Sequence, residues 1–184
     1  MEIIKTNFDG ILLIKPDVFA DDRGYFFESF QYQKFLENDL EVNFLQDNVS
    51  KSRKGTIRGL HFQNGSKAQG KLCHVLYGKV LDVSLDLRIG SPTYGKHFSI
   101  ELSEENHLQL WIPVGFAHGF SVQSEEAIFK YKCTNYYSKE NERTISFNDP
   151  KLNIDWKVDK PVFSAKDFNG KSFEESKNDF YFTY

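Results

Sequence analysis

The chain has 184 residues, a length that suits one domain with a sizeable core. Its 23 basic and 26 acidic side chains leave a net charge of -3, which gives no sign of a general nucleic-acid binder but leaves room for a local basic pocket around a nucleotide-sized ligand. Aromatics reach 16 %, with 18 Phe and 9 Tyr, which favours strands over helices, and only 5 Pro argues against a low-complexity chain.

The N-terminal Met1-Glu2-Ile3-Ile4-Lys5 lacks the apolar region of a signal peptide. Ile3-Ile4 and Ile11-Leu12-Leu13-Ile14 flank Asp9-Gly10, a pattern that predicts a hairpin. Asp21-Asp22-Arg23-Gly24 is a second turn, followed by Tyr25-Phe26-Phe27-Glu28. Ser29 is placed to cap a short helix running to Glu37, with Phe30, Phe35 and Leu36 on its apolar side. Residues 44–50 read as a strand, and Lys51-Ser52-Arg53-Lys54-Gly55 as a solvated basic turn.

Further on, Val75-Leu76-Tyr77 passes through the two-residue turn Gly78-Lys79 into the clearest alternation in the chain. Leu81, Val83, Leu85 and Leu87 fall on one face; Asp82, Ser84, Asp86 and Arg88 fall on the other. Strands are also predicted at 98–102, 108–112 and 127–134. Trp156 reads as an anchor, Ser164 as the cap of a short C-terminal helix, and the aromatic run Phe180-Tyr181-Phe182-Thr183-Tyr184 as a segment that packs on the body or on a second subunit. Short, evenly spaced strands with turns between them indicate a β-sandwich or barrel, and the lack of a repeat or linker indicates a single domain over residues 1–184. Cys73 and Cys133, both in apolar strand context, read as buried free thiols. No run approaches the roughly 18 apolar residues of a membrane helix, so the chain reads as soluble and cytoplasmic, with no membrane partner.

The chemistry concentrates in Arg58-Gly59-Leu60-His61-Phe62-Gln63, closed by Gln69-Gly70-Lys71. Alternation puts Leu60 and Phe62 on one face of a strand and Gly59, His61 and Gln63 on the other, so that His61 points into whatever the sheet encloses. Histidine changes protonation near neutral pH, and Arg58 and Lys71 favour an anionic ligand or a developing negative charge. His74, His97 and His107 read as structural. His61 and His118 stand out because each lies among glycines beside polar partners. Pro113-x-Gly115-x-x-His118 matches the second half-motif of cupin jelly rolls. The first half-motif of metal-binding cupins, His-x-His followed by Glu, reads His61-Phe62-Gln63 with no Glu in the next ten residues. Two imidazoles alone rarely make a divalent site, so no metal is expected.

The ordered set Asp22-Arg23-Gly24-Tyr25-Phe26-Phe27-Glu28, Gln46-Asp47-Asn48, Arg58-Gly59-Leu60-His61, Gln69-Gly70-Lys71, Trp111-Ile112-Pro113-Val114-Gly115-Phe116-Ala117-His118-Gly119-Phe120 and Tyr131-Lys132-x-Thr134-x-Tyr136-Tyr137 resembles the dTDP-4-dehydrorhamnose 3,5-epimerase family over essentially the whole chain. The resemblance implies an all-β cupin jelly-roll barrel with a few short helices, without metal or other cofactor. It implies a homodimer whose N-terminal segments are exchanged, acting on a dTDP-4-keto-6-deoxyhexose at carbons 3 and 5. It further implies His61 as base, Asp167 as its orienting carboxylate, Lys71 as the group that steadies the enolate oxygen, with Arg58 and His118 as further contacts, and Tyr131 as the facing acid. Tyr137 would stack on thymine, while Arg23, Glu28, Gln46, Asn48, Glu142 and Lys166 would contact base, ribose or diphosphate, Arg23 and Glu28 from the neighbouring subunit. Taken alone, Tyr131 would be a core aromatic, Asp167 a surface acid and Lys71 a solvated lysine. Other readings are a single-carbon epimerase on a related sugar, a metal-dependent cupin dioxygenase built on His61 and His118, and a sugar-nucleotide-binding cupin without turnover.

Overall fold

The alternation at residues 80–88 becomes the strand that sets the layering of the molecule. In the computed structural model, which describes residues 1–176 and 178–183, this strand is β8 (Lys79–Asp86) of a sheet built from β6 (Ile57–Gln63), β8, β9 (His97–Ser103), β11 (Phe116–Val122) and β13 (Glu142–Thr144) in the order β13-β6-β11-β8-β9. A second sheet has the order β1-β2-β10-β7-β12-β5, from β1 (Glu2–Lys5), β2 (Leu12–Lys15), β5 (Gln46–Arg53), β7 (Lys71–Tyr77), β10 (Gln109–Ile112) and β12 (Glu126–Cys133). Every pairing within the two sheets is antiparallel. The fold is all-β, a two-sheet sandwich with two short α-helices, as the turn spacing predicts.

Three apolar layers hold the sheets. Between them lie Cys73, Val75, Leu110 and Phe129 of the larger sheet and Val80, Leu102, Phe120 and Val122 of the smaller. Outside the smaller sheet, Val83, Leu85 and Leu87 pack under the C-terminal segment with Phe147 and Trp156. The apolar face of β8 is therefore the outer one. Its polar face, Asp82, Ser84 and Asp86, turns between the sheets with no solvent exposure. Buried carboxylates need partners; Asp86 takes Arg88 Nη2 at 2.8 Å and Thr93 Oγ1 at 2.6 Å, and Asp82 takes His118. Outside the larger sheet, Ile14, Leu72 and Trp111 are covered by the segment carrying α1 (Tyr32–Leu36), through Phe35, Phe30 and Phe44.

Several local expectations change. The first helix begins at Tyr32 and is capped by Gln31 Oε1, which accepts from Lys34 N at 2.7 Å; Ser29 lies outside it. The basic stretch 51–55 is not a turn up to Arg53, because β5 continues through it and buries Ser52. Pairing along all eight residues of β5 with β12 outweighs the local charge. Gly78 is a corner between sheets: β7 and β8 do not pair with each other. It has φ +74°, and a Cβ there would sit 2.1 Å from the Glu126 carbonyl oxygen, so only glycine fits. The Asp9-Gly10 hairpin, the turn between β3 (Phe19–Asp21) and β4 (Gly24–Phe26), and the buried free cysteines match the sequence reading. Trp156 is buried and its indole N–H donates to the Phe147 carbonyl at 2.7 Å. Of the C-terminal aromatics, Phe180 packs edge-on against Phe62, Phe182 lies over Arg88 and Tyr181 stays exposed; Tyr184 lies outside the described residues. Among the described residues no helix is long and apolar enough to cross a membrane.

Candidate active site

The site opens between the two sheets, in a cavity of about 440 Å³. Its smaller-sheet wall depends on the pairing of β6 with β11. His61 lies opposite His118, and Arg58 opposite Phe120, with the register shifting between these two pairs. Gly59 and Leu60 together thus span the single residue Gly119. The shift carries Arg58 and His61, three residues apart, to the same cavity-facing side. Strict alternation had given Gly59 that place, so the expected faces hold for Leu60, Phe62 and His61 but not at Gly59. The approach is close: a Cβ on Gly119 would stand 2.7 Å from the Arg58 carbonyl oxygen, and one on Gly59 2.5 Å from Gly119 Cα.

Behind His61 stands Asp167, in α2 (Ala165–Phe168). His61 Nε2 lies 2.7 Å from Asp167 Oδ1, which also accepts the Gly59 N–H at 3.2 Å. Ser164 caps the helix, as its sequence position predicts, and donates its hydroxyl to Asp167 Oδ2 at 2.5 Å. Burial opposes ionisation of Asp167, but the hydrogen bonds from His61, Ser164 and Gly59 outweigh it and hold the carboxyl well below its usual range. Burial also lowers the pKa of His61; Lys166 and Lys71 add to this, and the bond to Asp167 opposes it. The resting pair is an ionised carboxylate holding a neutral imidazole by its Nε2–H, with the lone pair on Nδ1.

Tyr131 and Lys71 come from the opposite sheet. Tyr131, on β12, is flanked by Asn48 of β5 and Cys73 of β7. Burial pushes its phenol up to about 12, so it is a proton donor at neutral pH. Lys71 is buried, with its ammonium 5.7 Å from the Tyr131 ring centre and 3.4 Å from the His61 carbonyl oxygen. Arg58 is held by Nε donating to Ser52 Oγ at 3.0 Å. His118 Nε2 is 2.9 Å from Asp82 Oδ2 and 3.8 Å from Cys73 Sγ. The donor atoms of Cys73, Asp82 and His118 lie within 4.8 Å of one another; His61 is not in that group. The two imidazoles weighed together as metal ligands are therefore bound to different carboxylates.

Toward the mouth, Gln46 donates to Asn48 Oδ1 at 2.9 Å and accepts the Tyr137 N–H at 2.9 Å. Tyr137 donates its hydroxyl to Glu142 Oε2, and Lys166 reaches Glu142 Oε1 at 2.5 Å. These side chains line the same cavity. Arg23 and Glu28 do not: Arg23 is 89 % exposed and paired with Asp21, and Glu28 pairs with Lys34. Residues given no role from sequence also line it, among them Ser50, Gln63, Gln69 and Phe120. Gln63 shares the inward face of His61 by strand alternation, and accepts the Ser138 N–H at 2.5 Å, steadying the loop that carries Tyr137. That shared face was the available signal.

The family model for dTDP-4-dehydrorhamnose 3,5-epimerase matches residues 5–175. The chain belongs to this family. A relative from Shigella flexneri with that name is 50 % identical over 177 residues, covering 96 % of this chain and 98 % of its own. The crystal structure of a dTDP-6-deoxy-D-glucose-3,5-epimerase from Legionella pneumophila in complex with dTDP-4-keto-L-rhamnose superposes with a TM-score of 0.91 at 47 % identity, covering 94 % of this chain and 93 % of that one. A dTDP-4-dehydrorhamnose 3,5-epimerase structure from Elizabethkingia anophelis gives 0.89 at 49 % identity, covering 95 % and 97 %. The protein is an isomerase of the dTDP-sugar 3,5-epimerase family, and the cavity between its sheets brings together an imidazole, a phenol and an ammonium, from His61, Tyr131 and Lys71.

Proposed function

We propose that the chain inverts carbons 3 and 5 of dTDP-4-dehydro-6-deoxy-D-glucose to give dTDP-4-dehydro-L-rhamnose, with His61 as base and Tyr131 as acid. One observation supports this assignment above the others. His61 and Tyr131 enter one cavity from opposite sheets, so a sugar ring between them meets a base on one face and an acid on the other. His61 removes the proton next to the 4-keto group, and the electron pair of that C–H bond moves into the carbonyl to make an enolate. Asp167 favours the imidazolium so formed. Lys71, with Arg58 and His118 nearby, balances the charge on the enolate oxygen. Tyr131 then gives its proton to the opposite face of the same carbon, which inverts it. Once His61 has released its proton to solvent and Tyr131 has regained one, the same steps serve the second carbon.

Tyr137 stacks on thymine, with Gln46, Asn48, Glu142 and Lys166 around the nucleotide. Arg23 and Glu28 act from a second copy of the chain, which makes the working form a homodimer of single-domain subunits with exchanged N-terminal segments. The reaction needs no metal and runs in the cytoplasm. Incubation with the 4-keto sugar nucleotide in deuterated water, followed by NMR, tests the reading. Deuterium is expected at carbons 3 and 5 with the native chain and at neither with His61→Ala. Exchange retained by the variant would remove His61 as base, and exchange at one carbon only would make the chain a single-carbon epimerase.

A further inference from the structure

We propose that Ser164 is a positioning residue for the dyad, whose hydroxyl fixes the Asp167 carboxylate so that one oxygen is kept for His61. This rests on the assignment of His61 as base. The carboxylate is buried and receives four hydrogen bonds, two on each oxygen. Oδ1 accepts from His61 Nε2 and the Gly59 N–H; Oδ2 accepts from Ser164 Oγ at 2.5 Å and the Ser164 N–H at 3.3 Å. Ser164 is thus the one residue that donates to Oδ2 among the described residues. Its Oγ also accepts the Asp167 N–H at 3.2 Å, so the pair is tied at both ends. A carboxylate turns easily about its last bond, because its two oxygens are equivalent. The Ser164 hydroxyl is the shorter of the two bonds that tie Oδ2 and leave Oδ1 to His61 and Gly59.

It also sets the strength of the base. A donor on Oδ2 draws charge from the carboxylate and leaves Oδ1 a weaker acceptor. Without it, Oδ1 holds the His61 proton more firmly, and the imidazolium is favoured. Ser164 does not line the sugar cavity. It lines a second recess of about 280 Å³, which shares Arg58, His61 and Lys166 with that cavity and whose wall also includes Asp167. Its loss should therefore act on turnover and not on binding.

The test compares Ser164→Ala, Ser164→Gly and Ser164→Thr in the full chain. Ala and Gly both lack the hydroxyl, yet as helix caps they differ in cost. Both are expected to lower kcat about fivefold with KM within a factor of about two, and to move the acidic limb of the pH profile to higher pH. Thr keeps the hydroxyl and is expected to restore both. In an Asp167→Asn background, Ser164→Ala should cost nothing further. Activity that follows the melting temperature of each variant, or a Ser164→Ala loss that persists beside Asp167→Asn, would overturn the role. Wild-type kcat and pH profile in Ser164→Ala would do so too, while the His61→Ala exchange result stands apart and judges the base itself.

Discussion

At the residue scale, the two sides of the cavity are tuned in opposite senses. Burial and two neighbouring ammonium groups hold His61 below the ordinary histidine range. In the proposed reaction His61 acts unprotonated, so a lowered pKa keeps it active further into acid. The acidic limb of kcat/KM, which reports the free enzyme, should lie below the unperturbed histidine value of about 6.5. Tyr131, raised to about 12, should contribute no alkaline limb below that pH. A rate profile from acid to alkaline pH checks both. Tyr131→Phe removes the donated proton but leaves the base. It should keep deuterium exchange at carbon 5 while losing product, and unchanged product formation would rule Tyr131 out as acid. His61 was legible in sequence because it alternates with Leu60 and Phe62 beside two cations. Asp167 was not legible from its own surroundings. It lies 106 residues away, and only the family resemblance paired it with His61 before the fold brought α2 under β6.

At the scale of elements, the register shift between β6 and β11 decides what the cavity contains. It aligns Arg58 with His61 and requires two bare backbones at Gly59 and Gly119. Gly119→Ala would force the strands apart against the Arg58 carbonyl and the Trp156 ring, a contact of 2.7 Å and another of 3.2 Å. The expected cost is about 1–3 kcal/mol of stability, read as a fall in melting temperature. Activity should drop further than that loss explains, because His61 and His118 move apart; full activity in a stable Gly119→Ala protein would contradict the account. Periodicity cannot announce such a shift, since alternation carries no record of which strand will lie alongside. The same limit applies to β8. Its two faces were plain in sequence, but which one turned inward was not, because buried carboxylates look like solvated ones until Arg88 and His118 are seen to meet them. Helix caps travelled unevenly: Ser164 caps α2 where its neighbours said it would, while Gln31 and not Ser29 caps α1.

For the molecule as a whole, the exposed side chains point beyond one chain. The β3–β4 hairpin carries Phe19 and Phe26 at 65 % and 66 % exposure, and the hairpin's own Arg23 stands away from the cavity of its own subunit. Large apolar side chains left bare on a short two-stranded ribbon favour a partner surface. Sedimentation should find a dimer, and Arg23→Ala should weaken substrate binding while leaving the dimer intact. A monomer with full activity would mean that Arg23 and Glu28 have no part in the site. The layered sandwich itself was legible from strand spacing and aromatic content, because those patterns depend on burial by any sheet.

The carboxylate that holds the imidazole is also the residue that closes the first turn of α2, a helix of only four residues. So short a helix has little intrinsic persistence and is kept by its ends. If that turn frays, the orienting partner leaves with it while both sheets stay paired. Warming the enzyme should therefore extinguish catalysis at temperatures where circular dichroism still records an intact sandwich, and cooling should bring it back.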